Sequence, residues 1–71
     1  MKNDKILLKN IGKRLTKLRE HQELTRTEMA NLLGISRQQY RNYEIGYSCN
    51  INNIAKISKL LKVNIKDLIS G

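Results

Sequence analysis

Residues 25–45 read TRTEMANLLGISRQQYRNYEI, and the order of residue types in this stretch decides the fold. Thr25 is followed three residues later by Glu28. That is the spacing of a capping box, in which each side chain satisfies a free amide at a helix start. Met29, Leu32 and Leu33 then supply an inward face, and Gly34 stands where a helix stop needs a residue that accepts positive φ. Ser36 restarts a helix. On it Tyr40 and Tyr43 lie three apart and make an aromatic inner side, while Arg37, Gln38, Arg41 and Asn42 pair at i, i+4 on the outer side.

Outward from this stretch the same period continues. Leu8, Ile11, Leu15 and Leu18 recur at spacings of three and four, the stripe of an amphipathic helix that Asn3 or Asp4 can cap. Its opposite face is Lys5, Lys9, Lys13, Arg14 and Lys17. Gln22 to Leu24 interrupts the pattern, so the first helix is expected to end near His21, which suits a C-terminal cap. Beyond the central stretch, Ile45 to Asn50 reads as a loop around Gly46, Ser48 and Asn50. A fourth helix starts at 51–53 with Ile54, Ile57, Leu60 and Leu61 as its apolar positions and Lys56 and Lys59 facing out. Lys62 to Asn64 breaks it, and a fifth, Ile65 to Ile69, follows. No segment alternates with period two, so the expected fold is all-α, a compact five-helix bundle.

Seventy-one residues suit one small domain, 1–71, and exclude a two-domain enzyme. Nine Ile, ten Leu and one Val, with no Phe or Trp, make any core aliphatic. A domain of this size buries only about 60% of the surface of its unfolded chain, so it stands to gain from a partner chain. Fourteen basic against six acidic residues give a net charge of +8, a field whose natural partner is a polyanion. An ordinary solvated surface rich in lysine carries the same charge, so charge alone does not choose.

Other function classes fail on inventory. There is no glycine-rich phosphate loop, no carboxylate pair suited to a cleft, and too little chain to enclose a small-molecule substrate. His21 has no Cys or second His at ligand spacing, which leaves a metal site without support. Cys49, the single cysteine, cannot form an internal disulfide and has no basic neighbour to activate it. No cofactor and no catalytic residue is expected. No apolar run is long enough for a signal peptide or membrane span, and the expected location is cytoplasmic.

Ala30, Gly34, Ile35 and Tyr43 carry the spacing of a helix-turn-helix over 26–45: a small residue where two helices nearly touch, a glycine at the turn, and apolar contacts behind the second helix. Here the chain resembles the Cro/repressor-type helix-turn-helix family, also called the xenobiotic-response-element family. The resemblance runs from Ile11 to Ile69. It includes Ile11-Gly12-Lys13-Arg14-Leu15 with Leu18-Arg19-Glu20, then Leu24-Thr25, Met29-Ala30, Gly34-Ile35-Ser36, Tyr43-Glu44-Ile45-Gly46 and Val63 to Ile69. It implies a lambda-repressor-like bundle of five helices that binds double-stranded DNA, usually as a homodimer, with its third helix in the major groove.

Carried onto this chain, the resemblance places Arg37, Gln38 and Asn42 at positions that read base edges, with Arg41 on the same face. Their chemistry agrees, since Arg pairs bidentately with guanine and Gln or Asn with adenine. Arg26 replaces the glutamine with which the family often holds a phosphate at the start of the second helix, and arginine beside free amides can grip phosphate as well. Gln39 sits between the two faces and can reach phosphate or pack on the helix end. Tyr40 stands where Val or Ile is usual, which would displace the third helix or send the hydroxyl to the rim. The loop after Gly46 lacks the usual proline and offers Tyr47, Ser48 and Asn50 for phosphate contact in place of basic groups. Glu44 matches an acidic position whose expected role is structural, pairing with a basic group or an amide.

The leading expectation is a sequence-specific transcriptional regulator, a repressor on a palindromic operator. The alternative is a protein-interaction module, such as an antitoxin-like partner. The outer face of the third helix favours the first, because it carries Arg and amides instead of an apolar patch. A lipid-surface role would need the apolar stripe that the core uses. For the homodimer, Ile65, Leu68 and Ile69 crowd apolar bulk into the last helix, while Ile6 and Leu7 off the main stripe of the first helix form the rival surface.

Overall fold

The computed structural model describes residues 2–69, with side chains from Lys5 onward. Its elements are α1 (Lys2–His21), α2 (Arg26–Leu33), α3 (Arg37–Glu44), α4 (Ile51–Leu60) and α5 (Ile65–Ile69), with no strand among the described residues. The Asn3 and Asp4 side chains expected to cap α1 lie outside the described side chains. Both central capping boxes are formed. Thr25 Oγ1 accepts from the Glu28 amide and Glu28 Oε1 from the Thr25 amide, at 3.1 and 2.9 Å. Ser36 and Gln39 make the same reciprocal pair at the start of α3.

The first four helices end alike. At each end one residue takes left-handed φ, and the following amide reaches back to a carbonyl five positions earlier. The left-handed residues are Glu23, Gly34, Gly46 and Lys62. The back-bonds run from Leu24 to Arg19, Ile35 to Ala30, Tyr47 to Asn42 and Val63 to Ser58. α1 ends at His21 as expected, with His21 and Arg19 as the basic residues of its last turn; the left-handed residue after it is Glu23, and the Arg19 guanidinium donates to the Leu24 carbonyl at 2.9 Å.

The core draws on every helix: Ile11 and Leu15, Met29, Ala30 and Leu33, Tyr40 and Tyr43, Ile54 and Ile57, and Leu68. Four sequence expectations need correction here. Leu32 and Leu60 are exposed, because each sits about 100° round its helix from the centre of the buried stripe, where Ala30 and Ile57 lie nearer the axis of packing. Tyr40 does not send its hydroxyl to the rim. The whole side chain is buried, with its ring edge-on to Tyr43 at 6.3 Å between centroids. Leu68 is buried in the core, so it cannot offer surface to a second chain, whereas Ile65 and Ile69 are half-buried at its margin. Nor is the core purely aliphatic: Tyr40 and Tyr43 stand in it, and Tyr40 is among its largest fully buried side chains.

Two helices meet at a point the sequence gives little hint of. A Cβ on Gly12 of α1 would strike the carbonyl oxygen of Glu44 and come within 2.6 Å of the Tyr43 carbonyl oxygen. The backbones of α1 and α3 therefore touch there. A Cβ on Gly46, just past α3, would likewise come within 2.8 Å of the Lys9 Cα. On the other flank of α1, Arg14 donates to the Ile69 carbonyl at 3.3 Å and ties α5 down. No helix among the described residues is long and apolar enough to cross a membrane.

Candidate nucleic-acid interface

The geometry begins with a short helix held at both ends. The capped start of α3 and the left-handed turn after it leave Arg37, Gln38 and Arg41 exposed together, lining one open groove of about 320 Å³. Asn42 lies behind this groove, half-buried, and its Oδ1 accepts from Gln38 Nε2 at 3.1 Å. The i, i+4 pairing expected from the sequence thus appears as a brace that limits how Gln38 can swing. Gln39 is exposed, but its Oε1 is taken by the Ser36 amide, so only its amide nitrogen is left to reach a phosphate.

A second concavity, about 390 Å³, adjoins the first where α2 begins, with Arg26, Thr27 and Arg37 among its lining residues. The capping box uses the Thr25 and Glu28 amides and leaves those of Arg26 and Thr27 directed out of the helix start. Thr27 was not singled out from the sequence. A hydroxyl residue directly after Arg26 at a capped helix start is the signal that marks it.

Below this cleft lies a buried cluster of charges. Glu44 is buried, with its side chain only 1% exposed. Its Oε2 accepts from Arg19 Nε at 2.7 Å, and its Oε1 from Arg26 Nε at 3.0 Å. Burial alone would raise the Glu44 carboxyl, but the hydrogen bonds around it prevail and hold it below the usual glutamate value. The same bond to Glu44 raises Arg19. Tyr40 faces this carboxylate without closing a well-formed hydrogen bond; desolvation, then the adjacent carboxylate, push its phenol far above the ordinary range. The structural role expected for Glu44 is therefore seen with both partners identified. Arg26, expected at a phosphate, is joined to the interior by one edge of its guanidinium and remains 39% exposed.

In the loop after α3, Tyr47 is 75% exposed. Leu24, Ile35 and Val63 occupy the corresponding place after the other three helices, and each packs against the core. Ser48 is half-buried beside it, and Asn50 is committed as the cap of α4, its Oδ1 accepting from the Asn52 and Asn53 amides. Cys49 is half-buried, and burial pushes its thiol up, away from the reactive thiolate.

A helix-turn-helix family profile matches residues 15–68, which include the cleft, the groove and the buried ion cluster. The chain belongs to the Cro/repressor-type helix-turn-helix family. This is a family of DNA-binding transcriptional regulators and not of enzymes. The chain is 38% identical over 61 residues to an uncharacterized, SPbeta prophage-derived helix-turn-helix-type transcriptional regulator, YonR, of Bacillus subtilis strain 168. That match takes in 84% of this chain and 56% of the relative, so the chain spans little more than half the relative's length. Among solved structures, the helix-turn-helix fold aligns with the restriction-modification controller protein C.AhdI from Aeromonas hydrophila at a TM-score of 0.79. The identity there is 28%, over 87% of this chain and 96% of the other.

Proposed function

We propose that the protein is a sequence-specific transcriptional repressor that binds a palindromic operator as a homodimer, with α3 in the major groove. The observation that carries this reading is the exposed set Arg37, Gln38 and Arg41 on one face of a helix fixed at both ends. In this reading Arg37, Gln38, Arg41 and Asn42 contact bases, Asn42 partly through its brace on Gln38. Arg26, Gln39, Tyr47 and Ser48 hold phosphates, with Thr27 added to them. Tyr47 supports the assignment because an aromatic ring left in water, where the equivalent residues pack inward, gains from covering by a ligand.

Selection from random duplex DNA at moderate salt tests the reading. A palindrome with half-sites about 34 Å apart is expected, and enrichment of no palindrome overturns it. Arg37→Ala and Gln38→Ala should each cost about 1 to 3 kcal/mol of specific binding while leaving binding to unrelated DNA nearly intact. Competition between the selected site and a scrambled one checks this; equal losses on both would remove the two residues from base readout.

Two-fold pairing is assigned to α5 through the exposed parts of Ile65 and Ile69, without Leu68. Sedimentation at tens of micromolar should show dissociation for Ile65→Glu and an unchanged dimer for Leu7→Glu. The reverse result moves the interface to Ile6 and Leu7 on α1, both exposed.

A further inference from the structure

Arg19 and Arg26 share one carboxylate but differ in what they have left to give. Arg19 is committed: Nε and one terminal nitrogen face Glu44, the other donates to the Leu24 carbonyl, and the side chain is 13% exposed. Arg26 gives only Nε to Glu44, and among the described residues its two terminal nitrogens have no hydrogen-bond partner. A guanidinium is planar and rigid, so fixing one edge fixes where the opposite edge points. Arg26 opens α2, and its side chain lines the cleft that Thr27 and Arg37 also border.

We propose that Glu44 is a positioning residue for DNA binding: it holds Arg26 by one edge and presents the other edge to a backbone phosphate in that cleft. This rests on the DNA-binding reading above and gives a residue with no access to the ligand a part in holding it. The arrangement also spares Arg26 most of the rotamer entropy that a free arginine loses on binding. Lysine is a poor substitute, because its three donors sit on one nitrogen at the end of a flexible stem, with no second rigid edge to aim at the phosphate while the first is held by Glu44.

The sign of one substitution separates positioning from bulk electrostatics. Glu44→Gln removes a negative charge near a polyanion, so electrostatics alone predicts tighter binding. Positioning predicts weaker binding, because the amide offers one acceptor oxygen to two guanidiniums, and with the more buried Arg19 keeping it Arg26 loses its anchor. The experiment measures dissociation constants for a random-sequence duplex of about 20 base pairs across a salt series, with circular dichroism to establish folding. Arg26→Ala is expected to weaken binding roughly tenfold at about 0.1 M salt and to lower the slope of log K against log salt by about one. Arg26→Lys should lose most of the same slope although it keeps the charge. Glu44→Gln should weaken binding in the parent background and change nothing in the Arg26→Ala background.

Tighter binding by Glu44→Gln, or parental slope and affinity for Arg26→Lys, overturns the proposal. If Glu44→Gln does not fold, Arg26→Lys decides alone. A parent that binds no duplex at low salt refutes the DNA-binding reading itself, which is a different outcome from parental binding that these substitutions leave untouched.

Discussion

Alanine at Glu44 is expected to cost the fold about 3 to 5 kcal/mol, because it leaves the Arg19 guanidinium buried without its counter-charge. Three helices lose their shared anchor at once: Arg19 comes from α1, Arg26 from the start of α2 and Glu44 from the end of α3. For a domain held by roughly 0.05 to 0.15 kcal/mol per residue, that is a large share of the total. Thermal unfolding followed by circular dichroism at neutral pH checks it; a midpoint within a few degrees of the parent's would show the cluster to be ornamental. The same cluster sets a pH dependence. The folded value of Glu44 lies below its unfolded value near 4.5, so the stability it contributes is complete above that pH and is lost as pH falls through the folded value. The gap between the parent and Glu44→Gln should therefore narrow in acid below about pH 4.5. A gap constant across the acid range would assign the effect to shape instead of charge.

Alanine at Gly12 is expected to bring crowding worth about 3 kcal/mol, the upper end of what added volume costs in a packed interior. The new methyl meets carbonyl oxygens of Tyr43 and Glu44, which are backbone and cannot rotate away. Helix propensity pulls the other way, since alanine at an exposed helical position gains up to about 1 kcal/mol over glycine. Crowding wins by a factor of about three. The net loss of about 2 kcal/mol should lower the midpoint by some 8 to 16 °C at about 4 to 8 °C per kcal/mol, and DNA binding should fall with it, because the wedge separates α1 from the helix proposed to enter the groove. A midpoint at or above the parent's would mean that the two helices do not touch at this position.

The local chemistry of the helices was legible from the sequence because it depends on neighbours within four or five positions. The capping box at Thr25, the left-handed stop at Gly34, the restart at Ser36 and the bounds of α5 all fall in that class. What pairs across the fold was not. Glu44 could be read as a structural acid, but its partners lie 25 and 18 positions away, and nothing in the order of residues joins them. Gly12 hid for a related reason, since a glycine inside a helix shows only a propensity cost until the helix crossing it is known. Leu68 was misplaced by counting apolar residues without knowing against which helices α5 packs. In the candidate site, exposure of Arg37, Gln38 and Arg41 followed from helical phase, whereas the divided role of Arg26 required tertiary structure.

The four turns that end α1 to α4 share one backbone form but not one residue type. Glycine fills it on either side of α3, whereas Glu23 and Lys62 carry side chains in a conformation that costs a residue with a Cβ about 1 kcal/mol. The strain thus sits in the two connections farthest along the chain from the helix proposed to enter the groove. Glu23→Gly and Lys62→Gly should accordingly recover several tenths of a kcal/mol each, net of the entropy that glycine restores to the unfolded chain. A laboratory wanting a hardier version of this protein could thus begin at residues 23 and 62 and leave every candidate DNA contact as it is.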